Sequence, residues 1–229
     1  MKKTILIQAR LSSSRFPKKM LEKINNITLV EYVYNRCNES KKANKVVVIT
    51  SDEESDDELY ELCVNKNIAV FRGELNNVLK RYIDASIFFD VDVICRVCGD
   101  SPFVDVKAID QMFDYYESNA NIDYISTTNT LNGFMSEVFS SNLLNKVYND
   151  DLSKEDKEHV TKYIRDNISK LNVKELDLKL KPKELEKFTL TIDYPEDMIV
   201  AKIIASNLED FSFKSEDIIN ILKDTKEEI

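Results

Sequence analysis

The sequence predicts an α/β protein in which a mostly parallel sheet is covered by helices on both faces. Three observations carry that expectation. Short apolar, β-branched runs alternate with segments of helical periodicity through the first half of the chain. Polar, charge-rich segments follow several of those runs, and only three glycines and four prolines occur in 229 residues. Alternation of this kind marks parallel strands joined by crossover helices, with ligands bound at the carboxyl ends of the strands.

The elements follow in order. The run Thr4-Ile5-Leu6-Ile7 is a short buried strand leading into a polar loop, and residues 29–37 carry helical spacing. Residues 45–50 (KVVVIT) form a second strand, and residues 56–65 a helix with Leu59, Leu62 and Cys63 on one side. A strand at 68–71, a helix at 78–89, a strand at 91–97 and a helix at 106–116 continue the alternation. Beyond about Ile122 the pattern loosens. Short strands are expected at 124–126 and 137–139, a charged amphipathic helix at 154–168, strands at 173–178 and 188–192, and closing helices at 196–207 and 215–226. The chain reads as a single domain, residues 1–229, with 141–180 as an excursion suited to dimerisation or to the acceptor side of a site. Within it Val160, Tyr163, Ile164 and Ile168 form an apolar set at helical spacing that needs a covering surface.

Composition narrows the function classes. Hydrophobic residues make up 43% of the chain, enough for a full α/β core. With 32 basic and 41 acidic side chains the formal charge is -9, which disfavours non-specific binding to nucleic acid or to an anionic membrane. A small anionic ligand needs only a local basic pocket. The amino-terminal apolar run stops at Gln8 and Arg10, too short for an export signal or a membrane span. Four cysteines without a disulfide-framework spacing fit reduced thiols in a cytoplasmic protein. Cys95 and Cys98 spell C-x-x-C, but no second Cys pair or His pair accompanies them for zinc, and they fall in a strand pattern.

Three segments carry chemistry. The loop after the first strand reads Gln8-Ala9-Arg10-Leu11-Ser12-Ser13-Ser14-Arg15-Phe16-Pro17-Lys18-Lys19. Backbone amides, hydroxyls and cations in one loop suit a polyphosphate, and a solvated basic loop would look the same. It lacks the Walker spacing. The fourth strand of the alternation ends in Gly99-Asp100-Ser101-Pro102, placing a carboxylate where a hard divalent cation could sit, or where a turn needs a cap. Thr191-Ile192-Asp193-Tyr194-Pro195 repeats the theme, with Asp193 either a second such carboxylate or a helix N-cap.

Together these segments resemble the cytidylyltransferases of nucleotide-sugar metabolism, in particular the branch called spore coat polysaccharide biosynthesis protein F, related to the CMP-sugar-acid synthetases. The likeness rests on QARLSSSRFPKK, on Thr50-Ser51-Asp52, and on Phe71-Arg72-Gly73 followed by Asn77-Val78-Leu79-Lys80-Arg81-Tyr82. It continues through Arg96 to Pro102, Gly133 to Phe139, Glu158 to Ile164 and Leu190 to Asp197. The resemblance implies a nucleotide-sugar-transferase-like three-layer fold and an enzyme in which an acceptor oxygen attacks the α-phosphorus of CTP and pyrophosphate leaves, for surface polysaccharide or glycoconjugate biosynthesis. It implies Arg10, Lys19 and Asp100 as catalytic residues, with Ala9, Arg10, Arg15, Lys19, Asp52, Arg72, Arg81 and Gly99 binding the nucleotide. Asp100 and Asp193 would hold Mg²⁺, Glu137 and His159 would face a sugar, sugar-acid or phosphorylated acceptor, and a homodimer is expected. In phosphoryl-group transfer the protein positions reactants and stabilises charge, so no protein nucleophile is required.

Two positions depart from the family pattern, Ser12 and Lys18 standing where glycines are usual. Three further readings stay open at the sequence level: a nucleotidyltransferase using another base such as GTP, a glycosyltransferase of similar architecture, and a non-catalytic nucleotide-binding subunit. The D-x-D spelling expected of many glycosyltransferases occurs at Asp90-Val91-Asp92, but it precedes an apolar strand run rather than ending it.

Overall fold

Successive side chains of the central strands enter two different cores, which is why those strands read as continuous apolar runs. A computed structural model describes residues 1–225. Strand β1 (Lys3–Gln8) leads through the serine-rich loop to a small hairpin, β2 (Lys23–Ile24) and β3 (Ile27–Thr28), and to helix α1 (Leu29–Asn38). There follow β4 (Lys45–Ser51), α2 (Asp57–Asn65), β5 (Val70–Gly73), α3 (Val78–Phe88), β6 (Val93–Cys98) and α4 (Val106–Ser118). The second half comprises β7 (Tyr124–Thr130), β8 (Glu137–Ser140), α5 (Ser141–Tyr148), α6 (Lys154–Glu158), α7 (Lys162–Asp166), β9 (Val173–Leu180), α8 (Asp197–Ser206) and α9 (Ser215–Thr225). The last expected helix was to reach Lys226, which lies outside the described residues.

The main sheet has the order β5-β4-β1-β6-β8-β7-β9, and only β8 runs against the others. Ile5 and Ile7 of β1, Val46 and Val48 of β4, and Val93, Cys95 and Val97 of β6 face one core, shared with α1, α2, α4, α8 and α9. Leu6, Val47, Ile49 and Ile94 face the other, covered by α3, α5 and the α6–α7 segment. Burial on both faces is the expected state of parallel strands joined by helices. β1 and β6 are neighbours whose onward connections run in opposite directions along the strand order, β1 toward β4 and β6 toward β7, so a crevice opens at their carboxyl ends.

Four departures from the expected elements have local causes. The 154–168 helix is two short helices, because His159 leaves the helical region with φ -100° and ψ 48°. Residues 188–192 are not a strand; Leu190 N donates to Asn132 O at 2.8 Å and Ile192 N to Asp100 O at 2.9 Å, single attachments rather than a ladder. The β2–β3 hairpin, too short to show alternation, turns on Asn25 and Asn26, both at positive φ (49° and 66°) as a tight two-residue turn requires. Helix α5, unexpected from the sequence, is N-capped by the Ser140 hydroxyl, which accepts from Leu143 N at 3.0 Å.

The 141–180 stretch contains α5, α6, α7 and β9, and β9 is an edge strand of the main sheet pairing with β7. Val160 and Ile164 are fully buried in the core that contains Leu6 and Phe139, so the chain itself covers them. Tyr163 is half-buried and Ile168 is exposed.

Candidate active site

Two clefts meet at the carboxyl ends of β1 and β6. The first, about 440 Å³, is lined by Ala9, Arg10, Ser12, Ser13, Ser14, Arg15, Lys19, Cys98, Asp100 and Asp193. The second, about 490 Å³, is lined by Arg96, Tyr124, Met135, Glu137, Arg165 and Ile168 among others, and it shares Cys98 and Asp100 with the first. Asp100 therefore stands at the boundary between a cation-lined cleft and a larger, more apolar one.

Lys19 organises the first cleft. It is almost wholly buried, in a single 3-10 turn whose preceding residue, Lys18, is left-handed with φ 58°. Its Nζ donates to Ile192 O at 2.6 Å and to Asp100 Oδ2 at 2.9 Å, and lies 3.6 Å from Asp193 Oδ1. One ammonium thus holds together two carboxylates that are far apart in the chain. The Arg15 guanidinium also pairs with Asp193 and lies 5.3 Å over the Tyr194 ring. Arg10 reaches across the cleft to Glu158 at 3.6 Å.

The capping alternatives for the two aspartates resolve differently. Helix α4 is capped by Asp105, whose Oδ1 accepts from Ala108 N at 2.9 Å, so Asp100 is left facing the clefts. At α8, Asp197 Oδ2 accepts from the amides of both Asp193 and Tyr194, each at 2.7 Å. The Asp193 carboxylate, relieved of capping, turns to Arg15 and Lys19.

Oxygen donors alone, on two facing carboxylates that already share a cation, suit a hard divalent ion such as Mg²⁺. No group of three or more His, Cys, Asp and Glu side chains is gathered as a metal cage among the described residues. Mg²⁺ characteristically takes one or two carboxylates and completes its shell with water and phosphate oxygens, so the residues present fit it.

The other expected residues sit as follows. Gly99 packs beneath the first cleft, its amide donating to Gln8 O at 2.8 Å. A Cβ there would come to 3.0 Å from Gln8 O and the Met20 sulfur, so a side chain at this position would crowd the close approach of β6 to β1. Arg72 and Arg81 line neither cleft. Arg72 donates to Ser51 O (2.9 Å) and Glu53 O (2.8 Å), and Arg81 to Glu74 O (2.6 Å) and Leu75 O (3.0 Å). Both brace the backbone turns beyond β4 and β5, and Asp52 is exposed on the first of these turns. His159 is exposed in the break between α6 and α7 and lines neither cleft.

Glu137 is the hub of the second cleft. The antiparallel register sets it opposite Arg96, whose NH1 donates to it at 2.8 Å. The hydroxyls of Tyr124 and Thr161 and, at 3.0 Å, the Arg165 guanidinium complete its partners. Burial alone would raise its pKa, but Arg96, the Tyr124 hydroxyl and Arg165 outweigh that and hold it below the ordinary carboxylate range. It thus pairs with both Arg96 and Arg165 at the cleft wall. Neither Tyr124 nor Arg165 was singled out from the sequence; both are ordinary residues of a strand and a charged helix, and only the register and the helix break bring them to Glu137.

Asp90 and Asp92 lie at the opposite, amino-terminal end of β6, where Asp92 accepts from Lys2 N at 2.7 Å, far from either cleft along the strand. All four cysteines are free thiols, and Cys95 is fully buried. Among the described residues no helix is long and apolar enough to cross a membrane.

Comparison with known proteins finds matches along most of the chain. A family model described as cytidylyltransferase matches residues 4–224. An uncharacterized protein of Methanocaldococcus jannaschii is 37% identical over 195 residues, covering 84% of this chain and 78% of that protein. The spore coat polysaccharide biosynthesis protein SpsF of Bacillus subtilis is 33% identical over 199 residues, covering 84% and 81%. A solved cytidylyltransferase structure from Leptospira borgpetersenii serovar Hardjo-bovis superposes with a TM-score of 0.92 at 30% identity, covering 99% of this chain and 96% of that one.

Proposed function

This chain belongs to the cytidylyltransferase family, and from that premise we propose that it joins CTP to a sugar or sugar-acid acceptor, releasing pyrophosphate, for surface polysaccharide or glycoconjugate synthesis. The observation that carries the reading is the place of Asp100, on the wall shared by the cation-lined cleft and the second cleft. A triphosphate in the first and an acceptor in the second would bring the attacking oxygen and the α-phosphorus together at that boundary. The polysaccharide context rests on the name of the Bacillus subtilis relative.

In this reading Arg10, Arg15 and Lys19, with the hydroxyls of Ser12, Ser13 and Ser14, neutralise and orient the triphosphate. Asp100 and Asp193 would hold Mg²⁺, which when bound supplies charge stabilisation to the phosphate oxygens. Binding of a nucleotide–metal complex would exchange Lys19 and Arg15 from the carboxylates to phosphate, so the same cations that hold the free site together would serve the ligand. Arg96 and Arg165, steadied by Glu137, would orient an acceptor carrying acidic or hydroxyl groups, while Met135 and Ile168 offer it an apolar wall. The reaction needs only positioning and charge stabilisation from the protein.

The test is pyrophosphate release, measured for CTP, GTP, UTP and ATP with Mg²⁺ against a panel of sugars, sugar acids and sugar phosphates. Release with CTP and one acceptor class supports the reading. Release with GTP in preference to CTP, or with no acceptor at all, overturns it.

A further inference from the structure

The roles above leave one wholly buried carboxylate without a part. Asp56 has no solvent exposure. Its Oδ1 accepts from the Leu11 amide at 2.6 Å, and its Oδ2 accepts from the Ser51 amide at 3.3 Å and from the Ser51 hydroxyl. A single side chain therefore joins the serine-rich loop after β1 to the turn after β4. Arg72 clamps the same turn from outside through Ser51 O, Glu53 O and the Asp57 carboxylate.

Leu11 is the residue on which the loop closes. Its side chain is buried, and its carbonyl accepts from Ser13 N at 2.9 Å and from Lys18 N at 3.0 Å. With its amide held by Asp56 and its carbonyl gathering both ends of the 13–18 segment, the path of the whole loop is set from one point. The loop contains no glycine, and its left-handed position is filled by Lys18 at φ 58°. A conformation that glycine would adopt freely is here held by a tertiary tether.

We propose that Asp56 is a positioning residue for polyphosphate binding: by fixing Leu11 it holds the loop, before any ligand arrives, in the form that turns Arg10, the serines and Lys19 toward the cleft. This inference rests on the reading of that cleft as the triphosphate site. The sign of the effect separates it from electrostatics. Asp56 is an anion beside an anion site, so removal of its charge alone would strengthen phosphate binding. Loss of the tether would weaken it, because a loop ordered only on binding reduces affinity by the cost of that ordering. A carboxylate accepts from Leu11 and Ser51 together; an asparagine could keep its one oxygen on Leu11 and donate to the Ser51 hydroxyl, whereas Asp56→Ala removes the acceptor on both sides.

The experiment is calorimetric titration of inorganic tripolyphosphate and of CTP, each with Mg²⁺, into the full chain and into D56A and Ser51→Ala. The parent is expected to bind both ligands. D56A should bind both about tenfold more weakly, the scale of one hydrogen bond to a charged group, and raise the KM for CTP by the same factor. S51A, which keeps the Leu11 tether, should stay within about threefold of the parent. Unchanged or tighter tripolyphosphate binding by folded D56A overturns the proposal, leaving Asp56 a purely structural residue. A parent chain that binds neither ligand overturns the reading of the cleft itself. Amide hydrogen exchange on the unaltered, ligand-free chain does not depend on whether D56A folds. Leu11 N–H should be protected well above an unstructured peptide, and exchange at the unstructured rate would remove the tether.

Discussion

Asp100 and Asp193 show how one cation sets the state of a site. Each would otherwise be an anion at the mouth of the sheet, and Lys19 is placed to neutralise both. Replacing either with asparagine keeps the shape and removes the charge on which a metal depends. Asp100→Asn and Asp193→Asn are each expected to fold and to lose turnover by roughly 100-fold or more, on the scale of lost transition-state stabilisation. Normal turnover in either variant, in a pyrophosphate-release assay, would return that residue to a structural role. Glu137 carries a pH signature instead. Its pKa is depressed in the folded protein, so its contribution to stability is complete above the ordinary carboxylate value of about 4.3 and is lost as pH falls through the lower folded value. Chemical denaturation should therefore show the parent losing stability below pH about 4, with a smaller loss over that window in Glu137→Gln. Equal slopes for the two proteins would mean that Arg96 and Arg165 do not hold the charged form.

At the scale of the element, the irregular 188–193 segment carries Asp193 without being a strand, and its position depends on a single glycine. Gly133 has φ 103°, and a Cβ there would lie 2.7 Å from the Leu190 carbonyl carbon. Gly133→Ala is expected to lose more than about 1 kcal/mol of stability and to lower turnover as well, because displacing Leu190 moves Asp193 relative to Lys19. A melting-temperature loss with intact turnover would show that the segment has slack. The break between α6 and α7 is a second case. Sequence periodicity runs through residues 154–168 without interruption, yet the chain turns at His159, sending Thr161 and Arg165 to Glu137 while Glu158 faces Arg10. These partners lie far along the chain from the segment, and no local pattern encodes them.

For the whole molecule, the sheet has a helix-covered core on each face, and the α6–α7 segment belongs to one of them. Val160 and Ile164 are inside the protomer, so Ile164→Ala is expected to cost about 2–5 kcal/mol in unfolding free energy with an unchanged sedimentation coefficient. A folded variant that sediments more slowly than the parent would instead place Ile164 at a subunit contact. Nucleotide binding is also read at this scale: CTP with Mg²⁺ at 100 times its Kd should stabilise the chain by about 2.7 kcal/mol. Thermal denaturation with each of four nucleotides checks this, and a larger shift with GTP would reassign the base.

What the amino-acid order determined by itself is the alternation that builds β1, α1, β4, α2, β5, α3, β6 and α4, since apolar periodicity and the burial of both sheet faces are properties of neighbouring residues. It also determined the chemistry of the loop after β1 and the aspartates that follow strand runs, because residue type is local information. What only the tertiary structure decided is which of those residues meet. Asp100 and Asp193 are joined through Lys19, and Arg72 and Arg81 are turned to backbone carbonyls rather than to either cleft. Asp56, which reads as an ordinary helix start, holds the loop that carries the cations. Apart from the local turn of Arg81 to Glu74 and Leu75, these pairings span longer stretches of chain, and they depend on strand order, on one antiparallel register and on where an isolated carboxylate finds buried donors. None of these is a property of any single stretch of sequence, so the composition of the site could be read along the chain while its geometry could not.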